Sequence, residues 1–205
     1  MARRSEKGKT RASSPREVEL KLDVPPEEIA RIAALPLLAE AEPASDQTGR
    51  LTATYFDTPK HEFRKAGLSV RLRRKGDETI QTIKAEKGAR GIVLDRNEWE
   101  VPVRGDGLDF EAAARTALKP FLANGCDEIR PAFTVESDRL AYEVRLGGGV
   151  VEVVLDDVRV SAGEKSRRFG EVEIELKDGH PRRLFDIALD LVEVAPLRLS
   201  LETKA

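Results

Sequence analysis

The feature that most constrains this chain is an alternation of charged and aliphatic residues that recurs in segment after segment. It first appears at residues 16–24, REVELKLDV, where the two kinds of residue take strict turns. A period of two is typical of a β-strand whose two faces differ in polarity. The segment therefore predicts a strand with an apolar face and a second face that holds Glu17, Glu19 and Lys21.

Similar alternation returns later in the chain, at residues 67–76, 79–88, 96–103, 139–146, 150–157 and 171–179. The short, Gly-containing connections at 74–78 and 147–149 favour antiparallel hairpins, because a parallel crossover needs a dozen or more residues. We therefore expect seven or eight antiparallel strands.

Three segments have helical character, at residues 25–40, 108–124 and 180–195. Apolar residues of the third segment recur at helical spacing, which predicts an amphipathic helix. Pro120 is expected to kink or divide the second helix. A helix needs an apolar surface to cover, and the aliphatic faces of the strands provide one.

The charges on the strands are sorted by segment, since carboxylates dominate three segments and cations dominate others. An open sheet would turn this charged face to water, whereas a closed sheet would enclose it as the lumen of a barrel. The pattern leaves both arrangements open. An eight-stranded barrel can hold one small ligand, and unpaired charges inside it would be costly. A closed lumen would therefore suit a polyanion on the cations and divalent metal ions on the carboxylates.

Composition excludes several other classes of protein. The 205 residues include 35 basic and 37 acidic side chains, a balance that argues against a general nucleic-acid binder. The single cysteine, Cys126, cannot form an internal disulfide, and no Cys/His cluster has zinc spacing. No apolar run reaches the roughly 18 residues of a membrane span. Residues 1–15 predict a flexible basic tail rather than a signal peptide, so we expect a cytoplasmic protein without membrane partners.

The charged segments resemble landmarks of the CYTH superfamily, also called triphosphate tunnel metalloenzymes. The segment Glu17–Lys21 matches the ExExK signature of that superfamily. The further matching landmarks, in order, are YFDT at 55–58, LSVRLRR at 68–74, TIK at 82–84, RNEWE at 96–100, DRLAY at 138–142, VEVVLDD at 151–157 and GEVEIELK at 170–177. The resemblance covers residues 16 to 204 and looks most like the bacterial inorganic triphosphatase branch.

The resemblance implies an α+β fold, with an eight-stranded antiparallel closed β-barrel, a polar lumen and helices packed on the outside. The CYTH domain would occupy residues 16–205. The implied activity is metal-dependent hydrolysis of inorganic triphosphate (tripolyphosphate) to pyrophosphate and phosphate, with Mg²⁺ or Mn²⁺. Related bacterial chains often continue into a helical CHAD domain, so this chain is interpreted either as a stand-alone domain or as a piece of such a protein. The interpretation leaves a homodimer open.

The resemblance also implies roles for individual residues. The catalytic group would be Glu17, Glu19 and Lys21. The metal ligands would be Glu17, Glu19, Glu152, Asp156, Glu173 and Glu175. The phosphate-binding cations would be Lys21, Arg71, Arg73, Lys84, Arg96, Arg139 and Lys204. Arg96 could instead pair with Glu98, and Lys204 could be a solvated terminal lysine. Glu100 and Glu171 share the pattern but are equally well explained as ordinary strand charges.

The exact substrate is less constrained than the phosphate chemistry. Class IV adenylyl cyclases and thiamine triphosphatases of the same superfamily share the phosphate-binding groups. An organic substrate needs an aromatic or apolar surface, and few aromatic residues are expected on the charged strand faces, which favours inorganic triphosphate. A non-catalytic module that binds polyphosphate or nucleotides is a further alternative. The many carboxylates speak against it, because a pure binder would need only cations.

Overall fold

The computed structural model of the chain describes residues 17–86, 94–123 and 128–200. Its ten strands in these ranges are β1 (Glu17–Val24), β2 (Glu42–Pro43), β3 (Gly49–Asp57), β4 (Leu68–Lys75), β5 (Glu78–Glu86), β6 (Leu94–Val103), β7 (Arg130–Leu146), β8 (Gly149–Ala162), β9 (Lys165–Asp178) and β10 (Arg198–Leu199). The helices are α1 (Ile29–Ala33), α2 (Pro36–Ala39), α3 (Glu62–Lys65), α4 (Phe110–Ala113), α5 (Lys119–Leu122) and α6 (Arg182–Val192), and a 3₁₀ turn (Pro26–Glu28) precedes α1. None of the helices in the described ranges is long and apolar enough to cross a membrane.

The strands form one antiparallel sheet in the order β10-β1-β6-β5-β4-β3-β7-β8-β9, and β2 pairs with β7. Strand β1 has two long neighbours, because its first residues pair with β6 and residues Glu19–Val24 pair with β9. Each of the eight long strands therefore has a hydrogen-bonded strand on both sides along part of its length. The predicted antiparallel, sheet-rich α+β fold is confirmed.

The helices α1, α2 and α6 cover one face of β1, β8 and β9. The main hydrophobic core joins strand residues such as Leu20 and Ile174 to helix residues such as Ile32 and Leu184, all of them at most 1% exposed. We call this the apolar face of the sheet. The amphipathic helix predicted at 180–195 is confirmed as α6, which buries the stripe expected from its periodicity.

The other two predicted helices are shorter than expected. The segment 25–40 is interrupted at Leu35, which is extended (ψ 139°), and α2 begins at Pro36. A residue before proline is disfavoured in the helical region, and proline has no N–H to continue a helix. The segment 108–124 likewise contains only α4 and α5, with Pro120 in the first turn of α5.

The strand predictions cover most of the sheet but omit three members. The sequence did not predict β3 as a whole or the two-residue strands β2 and β10. Strand β3 matters for the site because it pairs with both β4 and β7. The predicted tail at 1–15 lies outside the described residues.

Candidate active site

The predicted site residues whose side chains the structure describes follow the strand alternation and share the face of the sheet opposite the apolar face. Strand register places Lys21 opposite Glu173, Arg139 opposite Asp156, and Asp156 also opposite Glu171. Directly opposed residues on neighbouring strands point to the same side of the sheet. We call this side the charged face.

Three carboxylates form the centre of the charged face. Ligand oxygens of Asp156, Glu171 and Glu173 all lie within 4.8 Å of one another. Asp156 is fully buried and Glu171 is 2% exposed. We call these residues the acidic triad. Glu171 belongs to the same alternation as Glu173, but that pattern alone did not distinguish it from an ordinary strand charge.

Two cations offset part of the negative charge of the acidic triad. The ammonium of Lys21 lies 2.5 Å from Glu173 Oε1 and 3.4 Å from Glu171 Oε1. The guanidinium of Arg139 donates to Asp156 from Nε at 2.8 Å and from Nη2 at 2.5 Å. Burial alone would lower the pKa of Arg139, but its contact with Asp156 and the negative charges of Glu173 and Glu171 together raise the pKa. These pairs keep buried charges tolerable, since isolated ones would be costly.

Glu19 lies beside the triad and not within it. Its carboxylate accepts a hydrogen bond from Arg96 and lies 3.8 Å from the ammonium of Lys21. The alternative pairing of Arg96 with Glu98 is not seen, because Glu98 instead lies 3.2 Å from the ammonium of Lys84. The backbone of Glu17 is opposite Arg96. The Glu17 side chain and Lys204 lie outside the described part of the chain.

Glu152 and Glu175 form a separate pair. The two residues oppose each other across β8 and β9, and the ammonium of Lys177 lies 3.2 Å from the first and 2.8 Å from the second. Burial would lower the pKa of Lys177, but the two carboxylates raise it. The structure thus divides the predicted metal ligands between the triad, this pair and Glu19.

Arg71 and Arg139 both lie close enough to Arg73 to affect it electrostatically. Burial lowers the pKa of Arg73, and the positive charges of Arg71 and Arg139 lower it further. We call Arg71, Arg73 and Arg139 the arginine group. Arg71 donates to the hydroxyl of Tyr55 at 3.4 Å, whereas its buried Nε has no hydrogen-bond partner among the described residues. A buried donor without a partner is costly, so this nitrogen points to a missing acceptor.

Glu100 partly balances this positive charge. It accepts a hydrogen bond from Thr82 at 2.8 Å and lies 3.5 Å from Arg73. Burial would raise the pKa of Glu100, but the attraction of Arg73 and the hydrogen bond from Thr82 lower it. Arg73 on β4 and Lys84 on β5 are therefore each paired with a carboxylate on β6.

An aromatic patch on the charged face was not expected from the sequence. The rings of Tyr55 and Phe133 stack with their centroids 4.5 Å apart. They pack in a small cluster that also includes Val158 and Phe169. Because Tyr55 contacts Arg71, this apolar surface adjoins the arginine group, so the expected scarcity of aromatic residues on the charged face is wrong.

Comparison with known proteins identifies the family. A model of the CYTH domain matches residues 15–205, nearly the whole chain. The chain belongs to the CYTH domain family. A curated relative, an inorganic triphosphatase from Haemophilus influenzae, is 28% identical over 189 residues, which are 92% of this chain and 53% of that protein. The chain therefore spans about half the length of this relative.

Solved structures support the CYTH fold. A protein from Pyrococcus horikoshii is 21% identical, has a TM-score of 0.58, and aligns over 91% of this chain and 94% of its own. A candidate adenylyl cyclase from Hippeastrum, described as having a dominant triphosphatase activity, is 15% identical with a TM-score of 0.57, over 92% of both chains. At these identities the likeness concerns the fold alone.

Proposed function

We propose that this CYTH domain is a metal-dependent hydrolase that cleaves inorganic triphosphate to pyrophosphate and phosphate. The observation that carries the proposal is an acidic triad with two buried members beside a partly buried arginine group on one face of the sheet. Carboxylates alone would serve a metal site, and arginines alone would serve an anion site. Their combination suits a polyphosphate that is bound together with divalent cations.

We further propose that the charged face lines the lumen of a closed eight-stranded barrel. The pairing of β1 with both β6 and β9 supports closure. Burial supports it as well, because Glu19, Lys21 and Arg96 on this face are at most 5% exposed. An open sheet would leave such side chains in water.

The residues fit a divalent metal ion. Carboxylate oxygens are the ligands that Mg²⁺ and Mn²⁺ prefer, and the spacing within the acidic triad allows one ion to contact all three residues. Asp156, Glu171 and Glu173 would hold it, and Glu17, Glu19, Glu152 and Glu175 remain proposed ligands of a further ion. When bound, the metal would supply positive charge to the phosphate oxygens and acidify a water molecule.

The cations would hold the phosphate chain. Arg71, with its unpartnered Nε, offers the best-supported contact, and Arg73 and Arg139 complete the arginine group. Guanidinium groups bind phosphate oxygens through two parallel hydrogen bonds. Lys21 and Lys84 would add point charges, and Arg96 and Lys204 remain proposed members of the same set.

The protein residues would act mainly by positioning and by charge stabilisation. Water attacks the terminal phosphorus, the bond from that phosphorus to the bridging oxygen breaks, and pyrophosphate leaves on the opposite side. The arginine group would neutralise the charge on the transferred phosphoryl oxygens as this bond breaks. Lys21, already in contact with the triad, would bring the terminal phosphate next to these carboxylates.

Phosphate release from inorganic triphosphate tests the proposal. The assay is run with Mg²⁺ and with Mn²⁺, on the wild type, Glu173→Gln and the exposed control Glu164→Gln. We expect release by the wild type and the control, and a loss of at least about a hundredfold in kcat for Glu173→Gln, the scale seen when one transition-state contact is removed. Equal rates for the three proteins would refute the role of the triad.

An organic triphosphate is a second candidate substrate, and the stacked Tyr55–Phe133 pair beside Arg71 favours it. Aromatic rings suit the base of a nucleotide or the rings of thiamine. ATP and thiamine triphosphate are therefore run beside inorganic triphosphate, and cyclic AMP is measured as a product. Preferential turnover of one of these would assign that activity, and binding without turnover of any substrate would assign a binding module.

The homodimer, the cytoplasmic location and the CHAD domain remain predictions from the sequence. The absence of nucleic-acid and membrane partners is likewise a prediction from composition.

A further inference from the structure

A cavity of about 840 Å³ adjoins the acidic triad where β9 extends beyond the end of β1. Its lining includes Glu171, a member of the triad, so the cavity reaches the candidate active site. The walls come from the end of β1, the β8–β9 hairpin and residues 196–200. The volume is that of an ordinary small-molecule pocket. We call this cavity the outer compartment.

Three cations of the outer compartment are exposed and lack a carboxylate partner among the described residues. Lys165, Arg167 and Arg198 line the cavity and are exposed, and among the described residues none of them has a carboxylate in salt-bridge contact. The guanidinium of Arg167 lies 5.8 Å from the centre of the Phe169 ring, which favours a defined position for it. Arg168, by contrast, is paired with Asp157 at 2.5 Å.

The exposed carboxylate of Asp23 also lines the cavity, opposite Arg198 in the strand register, so these three cations leave the compartment with an excess of positive charge in a chain whose net charge is −2. The walls include apolar side chains such as Val160 and Phe169, which weaken screening and so strengthen attraction between a cation and an anion. An uncharged organic group would need an apolar wall but not three free cations. The compartment therefore fits a strongly anionic ligand.

We propose that the outer compartment binds the further phosphates of a linear polyphosphate whose terminal phosphates lie at the acidic triad. The proposal rests on the proposed function and extends its substrate class from triphosphate to longer condensed phosphates. Lys165, Arg167 and Arg198 are then the residues that distinguish a long chain from a short one.

Equilibrium binding without metal tests the proposal independently of hydrolysis. Calorimetric titrations in EDTA compare inorganic triphosphate, a medium-chain linear polyphosphate and ATP, on the wild type and on the triple variant Lys165→Gln/Arg167→Gln/Arg198→Gln. We expect the wild type to bind polyphosphate about tenfold more tightly than triphosphate, the scale of three weak surface ion pairs. The triple variant should lose this preference and keep its affinity for triphosphate.

A second triple variant, Lys60→Gln/Arg64→Gln/Lys65→Gln, removes the same charge from another exposed surface and controls for general electrostatics. The proposal fails if the wild type shows no preference for the longer chain, or if the two triple variants lose the same affinity. It also fails if the compartment variant weakens ATP alone, since the compartment would then hold the organic group. If the wild type binds polyphosphate more tightly than triphosphate but releases no phosphate, the proposed hydrolase activity is refuted. The proposed role of the outer compartment in binding is then not refuted.

Discussion

The ammonium group of Lys21 lies among three carboxylates of the candidate site. It is 2.5 Å from Glu173, 3.4 Å from Glu171 and 3.8 Å from Glu19. A divalent metal ion at the acidic triad would therefore have to share these carboxylates with a resident cation. Lys21 should therefore weaken the binding of a metal ion on its own. It should strengthen the binding of a metal ion that arrives in complex with phosphate.

Lys21→Met tests this competition. We expect the variant to bind Mn²⁺ alone about tenfold more tightly than the wild type, because one nearby positive charge is removed from a buried site. Isothermal titration calorimetry without phosphate measures the affinity. Lys60→Met is the matched control, since Lys60 is exposed and lies outside the candidate site. Unchanged or weaker Mn²⁺ binding by Lys21→Met would contradict the competition.

Individual residues also show which parts of the site were predictable. The strand alternation placed Lys21, Arg139 and Asp156 on one face, because a period of two is visible in the sequence. The same alternation could not rank Glu171 above its neighbours, since its contact with Asp156 depends on the pairing of β8 with β9. Asp57, in the YFDT landmark, turns out to accept backbone N–H groups from Phe63 and Arg64 at the start of α3.

At the scale of elements, the close contact between β1 and β9 depends on a glycine. A Cβ atom added at Gly170 would lie 2.7 Å from the carbonyl oxygen of Val24 and 2.9 Å from its Cγ1 atom. Real Cβ atoms do not approach backbone oxygens so closely, so any larger residue would push the two strands apart at the end of their ladder.

We therefore expect Gly170→Ala to lower the free energy of unfolding by about 2 kcal/mol, a typical cost of overpacking. Urea denaturation measures the change. Gly107→Ala is the control, since a Cβ at Gly107 has no neighbour within 4 Å, and its stability should stay within about 0.5 kcal/mol of the wild type. Equal stabilities of the two variants would show that β1 and β9 can separate without cost.

The elements were predicted unevenly, for physical reasons. The strands and α6 have strong periodic patterns, and their faces follow from those patterns. The short helices do not, because a four-residue helix is held by tertiary contacts more than by its own sequence. For example, the buried side chain of Gln81 exchanges two hydrogen bonds with the backbone of Asp109, just before α4. A partner so distant along the chain leaves no signal in the sequence of the helix itself.

On the scale of the whole molecule, paired charges make stability depend on pH. The pKa of Glu100 is lowered by Arg73 and Thr82. A carboxyl group whose pKa is lower in the folded state contributes stability above its ordinary pKa of about 4.3, and this contribution is lost as the pH falls through the folded value.

Glu100→Gln should therefore be less stable than the wild type at pH 7 by about 1 kcal/mol, and the difference should shrink as the pH falls below about 4. Urea denaturation at pH 7, 5 and 3 measures this convergence. Glu111→Gln, on the exposed surface of α4, serves as the control and should follow the wild type at each pH. A constant difference between Glu100→Gln and the wild type would show that Glu100 acts through packing and not through its charge.

The pairing of β1 with β9 also governs when the site can form. Lys21 and Glu173 are separated by 152 residues along the chain, yet they share an ion pair. Contacts of such long range fold slowly, because a large loop must close before they are made. During synthesis on the ribosome, a nascent chain therefore carries Lys21 long before it carries Glu171 and Glu173. Lys21 can meet these carboxylates only after the last long strand has emerged, so we expect a chain that ends before β9 to lack the acidic triad.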